Sequence, residues 1–370
     1  MPKSEASPMQ VARGEAVLLP VSALGLAVFF FKASLLAREP FTALVVAVLL
    51  IVAIVAVSVR IAHHAEVLAA KVGDPYGTMI LTLSAVLVEV VILLILMGEA
   101  SSPTLARDTI FSAVMLDING ILGLAALLGG WKFGEQPYND DSGKTYGAMI
   151  MTAMGISMVV PEFVPEAQWQ AYSIFTILAM VMLYWVFLRN QIGAHSYFFN
   201  YSYPEKKRAG SKKPADEPLL PSLVFLILEI VLVGLLAEVM AGFMSAGLEV
   251  VSAPLGIAAL IVATMSAAPE VLTALRAALA NRMQVVINIA LGASLSTVIL
   301  TVPVIEAAAL IRGQPIIMAM TPVQTVMAAI TVVVAAINLN DGETNAIEGM
   351  THFVLFGTFL ALTFLGIAGG

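Results

Sequence analysis

Residues 79–97 read Met-Ile-Leu-Thr-Leu-Ser-Ala-Val-Leu-Val-Glu-Val-Val-Ile-Leu-Leu-Ile-Leu-Met, an apolar run with a single charge at Glu89. At the helical rise of about 1.5 Å per residue, a run of this length nearly spans the hydrocarbon core of a bilayer. A carboxylate at that depth costs a few kcal/mol, so an intramembrane acid suggests a functional site. The stretch therefore predicts a transmembrane helix that carries a functional acid.

A second apolar run carries another isolated acid, Glu270. Residues 260–275 read Leu-Ile-Val-Ala-Thr-Met-Ser-Ala-Ala-Pro-Glu-Val-Leu-Thr-Ala-Leu. Neither run contains Lys or Arg, so neither acid has a basic partner within its own run. Two such acids, one in each half of the chain, predict a shared site for a cation or for protons.

The composition indicates a membrane protein. Of the 370 residues, 60% are hydrophobic and 12% are charged. Apolar runs of about 18 residues or more are transmembrane candidates, and because lipid offers the backbone no hydrogen bonds, such runs predict helices rather than barrel strands. We predict an all-α polytopic membrane protein with about 11 transmembrane helices. The predicted spans are 17–37, 41–61, 76–98, 108–130, 146–165, 171–188, 219–241, 251–275, 284–306, 316–337 and 349–368.

Several function classes are excluded by what the sequence lacks. It has no cysteine, so disulfides, thiolate metal sites and cysteine nucleophiles are excluded. It has no H-E-x-x-H, G-x-S-x-G or P-loop motif, so we do not expect an enzyme or a bound cofactor. The expected partners are the transported cations, protons and the lipid bilayer, with no nucleic acid. The oligomeric state stays open.

The basic residues indicate the orientation in the membrane. With the N-terminus in the cytoplasm, 14 of the 18 Lys and Arg residues fall on the cytoplasmic side. The positive-inside rule favours that arrangement. We therefore predict a multi-pass protein of the cytoplasmic membrane with a cytoplasmic N-terminus and an external C-terminus.

A polar stretch divides the chain into two blocks. Residues 189–218 are rich in Lys, Arg and Pro and are predicted to form a cytoplasmic basic linker. Residues 41–188 hold five spans and residues 219–370 hold five more, while residues 1–40 hold an N-terminal tail and an extra helix. Because five is odd, the second block enters the membrane from the opposite side, which predicts two inverted-topology five-helix repeats.

The two acids occupy matching places in these blocks. Each lies in the second span of its block, and Glu270 follows Glu89 by 181 residues while residue 219 follows residue 41 by 178. A pseudo-two-fold axis in the membrane plane would bring both carboxylates toward the midplane and toward each other. The pattern therefore predicts that Glu89 and Glu270 bind both the cation and protons.

Oxygen donors flank both acids. Pro269 has no N–H, so the carbonyl of Met265, four residues back, loses its helical hydrogen bond. A freed carbonyl, hydroxyl groups and a carboxylate form the oxygen-rich environment that Ca²⁺ and Na⁺ prefer. The candidate donors beside the acids are Thr82 and Ser84 in the first repeat and Met265 and Ser266 in the second.

Four further polar residues are candidates to line the site, namely Asp117, Asn119, Asn288 and Ser294. Asp117 is expected on the outer side of the midplane, where it lines an external access path or pairs structurally. The small residues between Asn288 and Ser294 also suit close helix packing. Both interpretations stay open for these residues.

Other ionisable residues in the spans have simpler expected roles. Glu229 and Glu238 are nine residues apart and therefore lie on opposite faces of one helix. Glu306 lies near the end of a span and is expected to extend to the interface. His352 is expected to be packed or hydrogen-bonded.

The same acids can serve a cation and protons in turn. Burial favours the protonated carboxylate, whereas a nearby cation favours the ionised form, so the two ions compete. Competition combined with alternating access is sufficient for antiport. We predict a secondary active cation/proton antiporter that exchanges Ca²⁺ for H⁺. The alternatives are a Na⁺ or K⁺/H⁺ antiporter of the same fold, a cation channel and an intramembrane enzyme.

Several short motifs carry a resemblance to a known family. They are Gly73-Asp-Pro-Tyr-Gly-Thr-Met-Ile-Leu-Thr-Leu-Ser84 with Val88-Glu89-Val90, Ala268-Pro-Glu-Val-Leu-Thr-Ala-Leu-Arg-Ala-Ala278, Asn288-Ile-Ala-Leu-Gly-Ala-Ser-Leu-Ser-Thr297, and Gly342-Glu-Thr-Asn345 with Gly349-Met-Thr-His-Phe353. Together they resemble the bacterial ChaA-type cation/proton antiporters of the cation/calcium exchanger superfamily, from the second predicted span to the last.

The resemblance implies an eleven-helix exchanger with two inverted five-helix repeats. It also implies that each repeat supplies one acid, Glu89 and Glu270, and that the exchanged cation is Ca²⁺, Na⁺ or K⁺. Residues 85–88 read Ala-Val-Leu-Val where vacuolar calcium exchangers usually carry Asn, and the linker is basic where many relatives have an acidic one. The resemblance therefore leaves the choice of cation open.

Overall fold

The apolar segments form helices, because only intrahelical hydrogen bonds satisfy the backbone of an isolated segment in lipid. The computed structural model describes residues 15–72, 76–99, 102–192, 196–199, 219–313 and 316–369. These residues form eleven long helices: α1 (Leu18–Leu36), α2 (Pro40–Val72), α3 (Tyr76–Glu99), α4 (Leu105–Phe133), α5 (Asp140–Phe163), α6 (Trp169–Ile192), α7 (Leu219–Val250), α8 (Leu255–Leu279), α9 (Met283–Arg312), α10 (Pro322–Asn338) and α11 (Ala346–Phe364). Two short strands, β1 (Gln136–Pro137) and β2 (Glu343–Thr344), pair antiparallel.

The structure confirms the prediction of an all-α polytopic membrane protein. Among the described residues, 10 helices are long and apolar enough to cross a membrane. The remaining helix, α10, has 17 residues and is therefore about 25 Å long.

Helix α10 starts later than the predicted 316 because its first turn is capped. The Thr321 hydroxyl accepts a hydrogen bond from the Gln324 backbone N–H at 3.2 Å, and the Gln324 side chain accepts one from the Thr321 N–H at 3.0 Å. Pro322 follows at the first helical position, where its missing N–H costs nothing. Residues 316–320 lie outside the helix.

Two helices extend well beyond their predicted ends. Helix α2 continues to Val72 rather than residue 61, and α7 continues to Val250 rather than residue 241. The hydropathy of the chain falls at these points, but its helix propensity does not, since Ala, Leu, Glu and Lys dominate residues 65–71. Hydropathy therefore marks the apolar part of a helix and not its end.

Three helices contain a π-helical segment. These segments are Leu116–Leu122 in α4, Gly155–Val159 in α5 and Thr297–Thr301 in α9. A π segment inserts an extra residue into an α-helix, and such segments occur frequently at functional sites. Helices α4 and α9 therefore each change their backbone geometry near the middle of their length.

The helix bounds repeat along the chain. Helices α7, α8, α9, α10 and α11 start 179, 179, 178, 182 and 177 residues after α2, α3, α4, α5 and α6, as the differences between their first residue numbers show. The π segments of α4 and α9 fall within corresponding helices. This pattern supports two five-helix repeats, while their inverted orientation and the bounds 41–188 and 219–370 stay predictions.

The described helices group into two compact units. Helices α1, α2, α3 and α7 form the first, and α4–α6 with α8–α11 form the second. Each unit therefore takes helices from both predicted repeats. Most of the predicted linker, at residues 193–195 and 200–218, lies outside the described residues.

The first unit is built on the long contact between α2 and α7. Small residues allow the helices to approach closely, since a Cβ at Gly247 would lie 2.9 Å from the Cα of Leu44. Helix α3 packs on α7 near Gly234, where a Cβ would lie 3.2 Å from a methyl carbon of Val91. Small residues thus set the spacing of these three helices.

The second unit is built around α4, whose residues 105–122 are all buried. Helix α11 packs against it at backbone distance. A Cβ at Gly349 would overlap the backbone nitrogen of Leu127, and one at Gly130 would overlap that of Ala346. The β1–β2 pair joins the connections that leave α4 and enter α11.

We expect Gly349→Ala to lower the midpoint of thermal unfolding of the purified full-length protein. The added methyl group forces α4 and α11 apart, and overpacking of this kind costs about 1–3 kcal/mol. Gly357→Ala in the same helix is the matched control, because nothing lies within 4 Å of the Cβ position there. Equal midpoints for the two variants would contradict the proposed backbone contact.

Candidate functional site

Glu89 lies in the middle of α3 in the first unit, as the fourteenth of its 24 residues. Its side chain is 3% exposed, and Val86 and Leu93 on the same side of the helix are also buried. Leu83 and Leu87 on the opposite side are exposed. The helix therefore presents an apolar face outward and keeps Glu89 inside.

The hydroxyl residues before Glu89 differ in their placement. Thr82 precedes it by seven residues, which places the two nearly on one face, whereas Ser84 lies about 140° away around the helix. Ser84 is buried and Thr82 is half-buried. Only Thr82 thus shares the face of Glu89, two turns away.

Glu270 lies in α8 in the second unit, as the sixteenth of 25 residues, and is half-buried. The helix is continuous through Pro269. Pro269 has no N–H, so it cannot donate to the carbonyl of Met265, which is itself buried. The predicted weakening is therefore confined to a single missing hydrogen bond rather than a broken helix.

Ser266 lies one turn before Glu270, on the same face of α8. Its hydroxyl lies 3.0 Å from the carbonyl oxygen of Ala263 and 3.3 Å from that of Val262, so its proton bonds within the helix. This bond uses the donor of Ser266 and leaves acceptor capacity on its oxygen. Ser266 thus retains the capacity to act as an oxygen ligand near Glu270.

Asp117 and Ser294 meet in the interior of the second unit. The Ser294 hydroxyl donates to Asp117 Oδ2 at 3.2 Å, and both side chains are buried. Asp117 lies in the π segment of α4 and is the thirteenth residue of that helix, while Ser294 is the twelfth residue of α9. The contact therefore joins nearly equivalent positions of two corresponding helices.

Asn119 connects α4 to two further helices. Its Nδ2 donates to Thr331 Oγ1 in α10 at 2.7 Å, and its Oδ1 lies 3.0 Å from His352 Nδ1 in α11. All three side chains are buried. The structure confirms that His352 is hydrogen-bonded, and it places Thr331 in a network that sequence reasoning missed.

The helix that carries Glu270 adjoins this polar network. Helix α8 packs against the π segment of α4, where Asp117 and Asn119 lie. Glu270, Asp117, Ser294 and Asn119 therefore belong to neighbouring helices of one unit. Glu89 belongs to the other unit, so its sharing of a site with Glu270 stays a prediction.

Asn288 lies near the start of α9 and takes part in a packing contact. Its Nδ2 donates to the Phe199 carbonyl at 2.8 Å, and its Oδ1 accepts from Gln284 Nε2 at 3.0 Å. It precedes Ser294 by six residues, or about 9 Å along the helix. The structure thus places Asn288 apart from the Asp117–Ser294 contact.

The expectation that Glu306 extends to the interface is wrong. Its side chain is 2% exposed, because the last part of α9 packs against α6 and covers it. Glu229 and Glu238 do lie on opposite faces of α7, the former buried and the latter exposed. The buried position of Glu306 depends on a neighbouring helix that no local pattern identifies.

Comparison with known proteins gives a consistent result. The profile of the sodium/calcium exchanger protein family matches residues 41–193 and 221–365. The "Putative ionic transporter y4hA" of Sinorhizobium fredii is 31% identical over 81% of this chain and 83% of its own, and the "Sodium-potassium/proton antiporter ChaA" of Escherichia coli is 30% identical over 85% and 88%. The structure of YfkE, a Ca²⁺/H⁺ antiporter protein, superposes with a TM-score of 0.73 at 18% identity, covering 94% of this chain and 99% of that one.

We expect Asn119→Leu to lower the thermal unfolding midpoint of the purified protein. The change removes the hydrogen bonds that Asn119 makes to the buried Thr331 hydroxyl and to His352 Nδ1, and a buried polar group left without its partner costs about 1–3 kcal/mol. Asn338→Ala is the control, because it removes an exposed hydrogen bond between Asn338 on α10 and Thr351 on α11, the two helices that Asn119 contacts from α4. A midpoint for Asn119→Leu at or above that of Asn338→Ala would show that the network does not stabilise the unit.

Proposed function

Because the chain belongs to the sodium/calcium exchanger protein family, we propose that it is a secondary active cation/proton antiporter that works by alternating access. Glu89 and Glu270 each act as a cation ligand when ionised and as a proton carrier when neutral. The observation that carries this proposal is the placement of one acid within an apolar run, near the middle of each of two corresponding helices, α3 and α8.

The mechanism follows from the electrostatics of a carboxylate in an apolar environment. Charge at that position is costly unless a cation neutralises it, so each acid holds either a proton or a share of a cation. When the acids are open to the more acidic side of the membrane, they become protonated. Protonation removes the negative charge that holds the cation. Competition for the same groups couples the two fluxes, and no separate proton path is needed.

The remaining ligands are proposed from the oxygen atoms near each acid. On α8 these are the Ser266 hydroxyl and the Met265 carbonyl, and on α3 it is the Thr82 hydroxyl, since Ser84 lies about 140° around the helix from Glu89. The Asp117–Ser294 hydrogen bond is proposed to hold α4 against α9 beside α8, and the Asn119 hydrogen bonds are proposed to hold α4 against α10 and α11. Asn288, whose side chain bonds to Phe199 and Gln284, is proposed to support the packing of α9 rather than to bind the cation.

The proposed substrate is Ca²⁺. Carboxylates, carbonyls and hydroxyls are hard oxygen donors that suit Ca²⁺, whose coordination tolerates irregular geometry. The solved relative YfkE is described as a Ca²⁺/H⁺ antiporter protein, which agrees with this choice. The second candidate is Na⁺ or K⁺, which the name of the 30%-identical E. coli relative favours. The same oxygen donors suit these ions.

We further propose that the protein is not an enzyme and carries no cofactor, since transported ions account for the chemistry. The N-terminus is proposed to lie in the cytoplasm and the C-terminus outside, as the distribution of Lys and Arg indicates. The two five-helix repeats are proposed to have inverted orientations.

The proposal predicts that Glu89→Gln and Glu270→Gln each stop exchange. In proteoliposomes with an imposed pH gradient, Ca²⁺ uptake should fall to about one-hundredth of the wild-type rate or less, because loss of a charged ligand costs about 3 kcal/mol or more. Glu238→Gln, which removes an exposed acid from α7, is the control and should transport normally. Wild-type uptake by either test variant would reject the site assignment.

The same vesicles identify the cation and the type of transport. If Ca²⁺ is the substrate, excess Na⁺ or K⁺ should reduce Ca²⁺ uptake only slightly, and each Ca²⁺ taken up should release protons from the vesicle. Proton release driven by Na⁺ or K⁺ but not by Ca²⁺ would establish the second candidate. Ca²⁺ uptake without any proton movement would instead identify a channel.

A further inference from the structure

A separate group of ionisable side chains lies inside the first unit and includes neither proposed cation ligand. Glu15 precedes α1, Arg60 and His64 lie on α2, and Glu229 lies on α7. Glu15, His64 and Glu229 are buried, with 4%, 0% and 0% of their surfaces exposed. Three separate parts of the chain therefore place charged groups at one point.

These side chains are in direct contact. Arg60 donates to both oxygens of Glu15, with a distance of 2.9 Å from Nε to Oε2. His64 Nε2 lies 3.2 Å from Glu15 Oε1 and 3.8 Å from Glu229 Oε1. The ring of Phe225 stacks on that of His64 at 5.6 Å. His64 Nε2 thus faces two carboxylates while the ring beside it excludes water.

Glu229 is the member of this group whose carboxylate lacks a hydrogen-bond donor. Among the described residues, no N–H or O–H group donates to either of its carboxylate oxygens, and its carboxyl group faces that of Glu15. A buried carboxylate without a donor is strongly disfavoured, because it loses its hydration and gains no hydrogen bond. The arrangement therefore requires a further positive charge beside Glu229.

The charge balance identifies that positive charge as a proton. Arg60 compensates Glu15: burial alone would raise the pKa of Glu15, but the hydrogen bond and charge of Arg60 help to hold it below its ordinary value. Glu229 then leaves one uncompensated negative charge. A single proton brings the sum to zero, whereas a divalent metal ion would leave a net positive charge beside the Arg60 guanidinium.

We propose that Glu15, His64 and Glu229 form a proton-binding site that ties the segment before α1 to helices α2 and α7. The bound proton neutralises the Glu229 carboxyl group, which faces the Glu15 carboxylate and lies 3.8 Å from His64 Nε2. When it leaves, two carboxylates face each other in an apolar environment, and among the described residues a single guanidinium, bonded to Glu15, balances them. Glu15, which lies outside the long helices, then separates from the group and releases the start of α1.

Among the residues that the structure describes, no other charged group on the surrounding helices takes the place of this proton. His63 is half-buried, and its ring lies 5.5 Å from that of His64, so its own charge would oppose a second one there. Lys32 on α1 approaches Gly242, which is thirteen residues beyond Glu229 on α7. Glu89 on α3 adds negative charge to the unit and no proton donor when ionised. A proton is therefore still needed to neutralise the Glu229 carboxylate.

The absence of native cysteine allows a direct test of this release. Val21 in α1 is buried, so a cysteine introduced there by Val21→Cys reacts with a maleimide only when α1 separates from the helices around it. Ala16→Cys is the control, because that position is exposed and corrects for the higher reactivity of thiolates at high pH. The measured quantity is the labelling rate of Val21→Cys divided by that of Ala16→Cys, each in the full-length protein.

We expect this ratio to rise with pH by about tenfold per pH unit over part of the range, which is the slope for release of one proton on opening. The sign follows because the closed state binds the proton more tightly, so its stability is greatest at low pH. Adding Glu229→Gln should remove the slope, since an amide needs no proton to be neutral. Glu238→Gln on the same helix should leave it unchanged.

Three outcomes would overturn the proposal. A ratio independent of pH in Val21→Cys alone would do so even if the Glu229→Gln variant failed to fold. A slope that persists in Val21→Cys/Glu229→Gln would place the proton elsewhere. A ratio that falls on addition of Zn²⁺ at constant pH, and only when Glu229 is present, would show that the group is a metal site.

Discussion

In the hydrocarbon core a polar group has only other protein groups as partners, and this constraint accounts for most of the structure. It makes the backbone helical, and it decides which polar side chains the interior tolerates. The buried polar groups with observed partners, such as Asp117 with Ser294 and Asn119 with Thr331, join different helices. Each pair therefore satisfies its own hydrogen bonds and fixes the position of one helix against another.

Much of this arrangement could be predicted from sequence. The number of helices, their order and the occurrence of Glu89 and Glu270 within apolar runs depend on local hydropathy, and the repeat appears as a nearly constant interval, 177 to 182 residues, between helix starts. The end of α2 at Val72 and the start of α10 could not be predicted in the same way. Helix propensity and a capping box, rather than hydropathy, determine them.

The side-chain partners were harder to predict because they depend on tertiary contacts. Asn288 bonds to a turn about ninety residues earlier in the chain, and the burial of Glu306 depends on α6. The group around Glu229 combines residues from three parts of the chain, and no spacing rule relates them. An unexplained acid in an apolar run was the one signal available, and it identifies a residue that needs a partner without naming the partner.

The glycine contacts between α4 and α11 limit how the second unit can deform. Gly130 and Gly349 place the two backbones so close that an axial slip would drive a side chain into the opposite main chain. Helices α4 and α11 therefore form one rigid body, and the β1–β2 pair joins the connections at one end of it. A transport cycle that opens the site to each side of the membrane in turn must therefore move through hinges that lie outside α4 and α11.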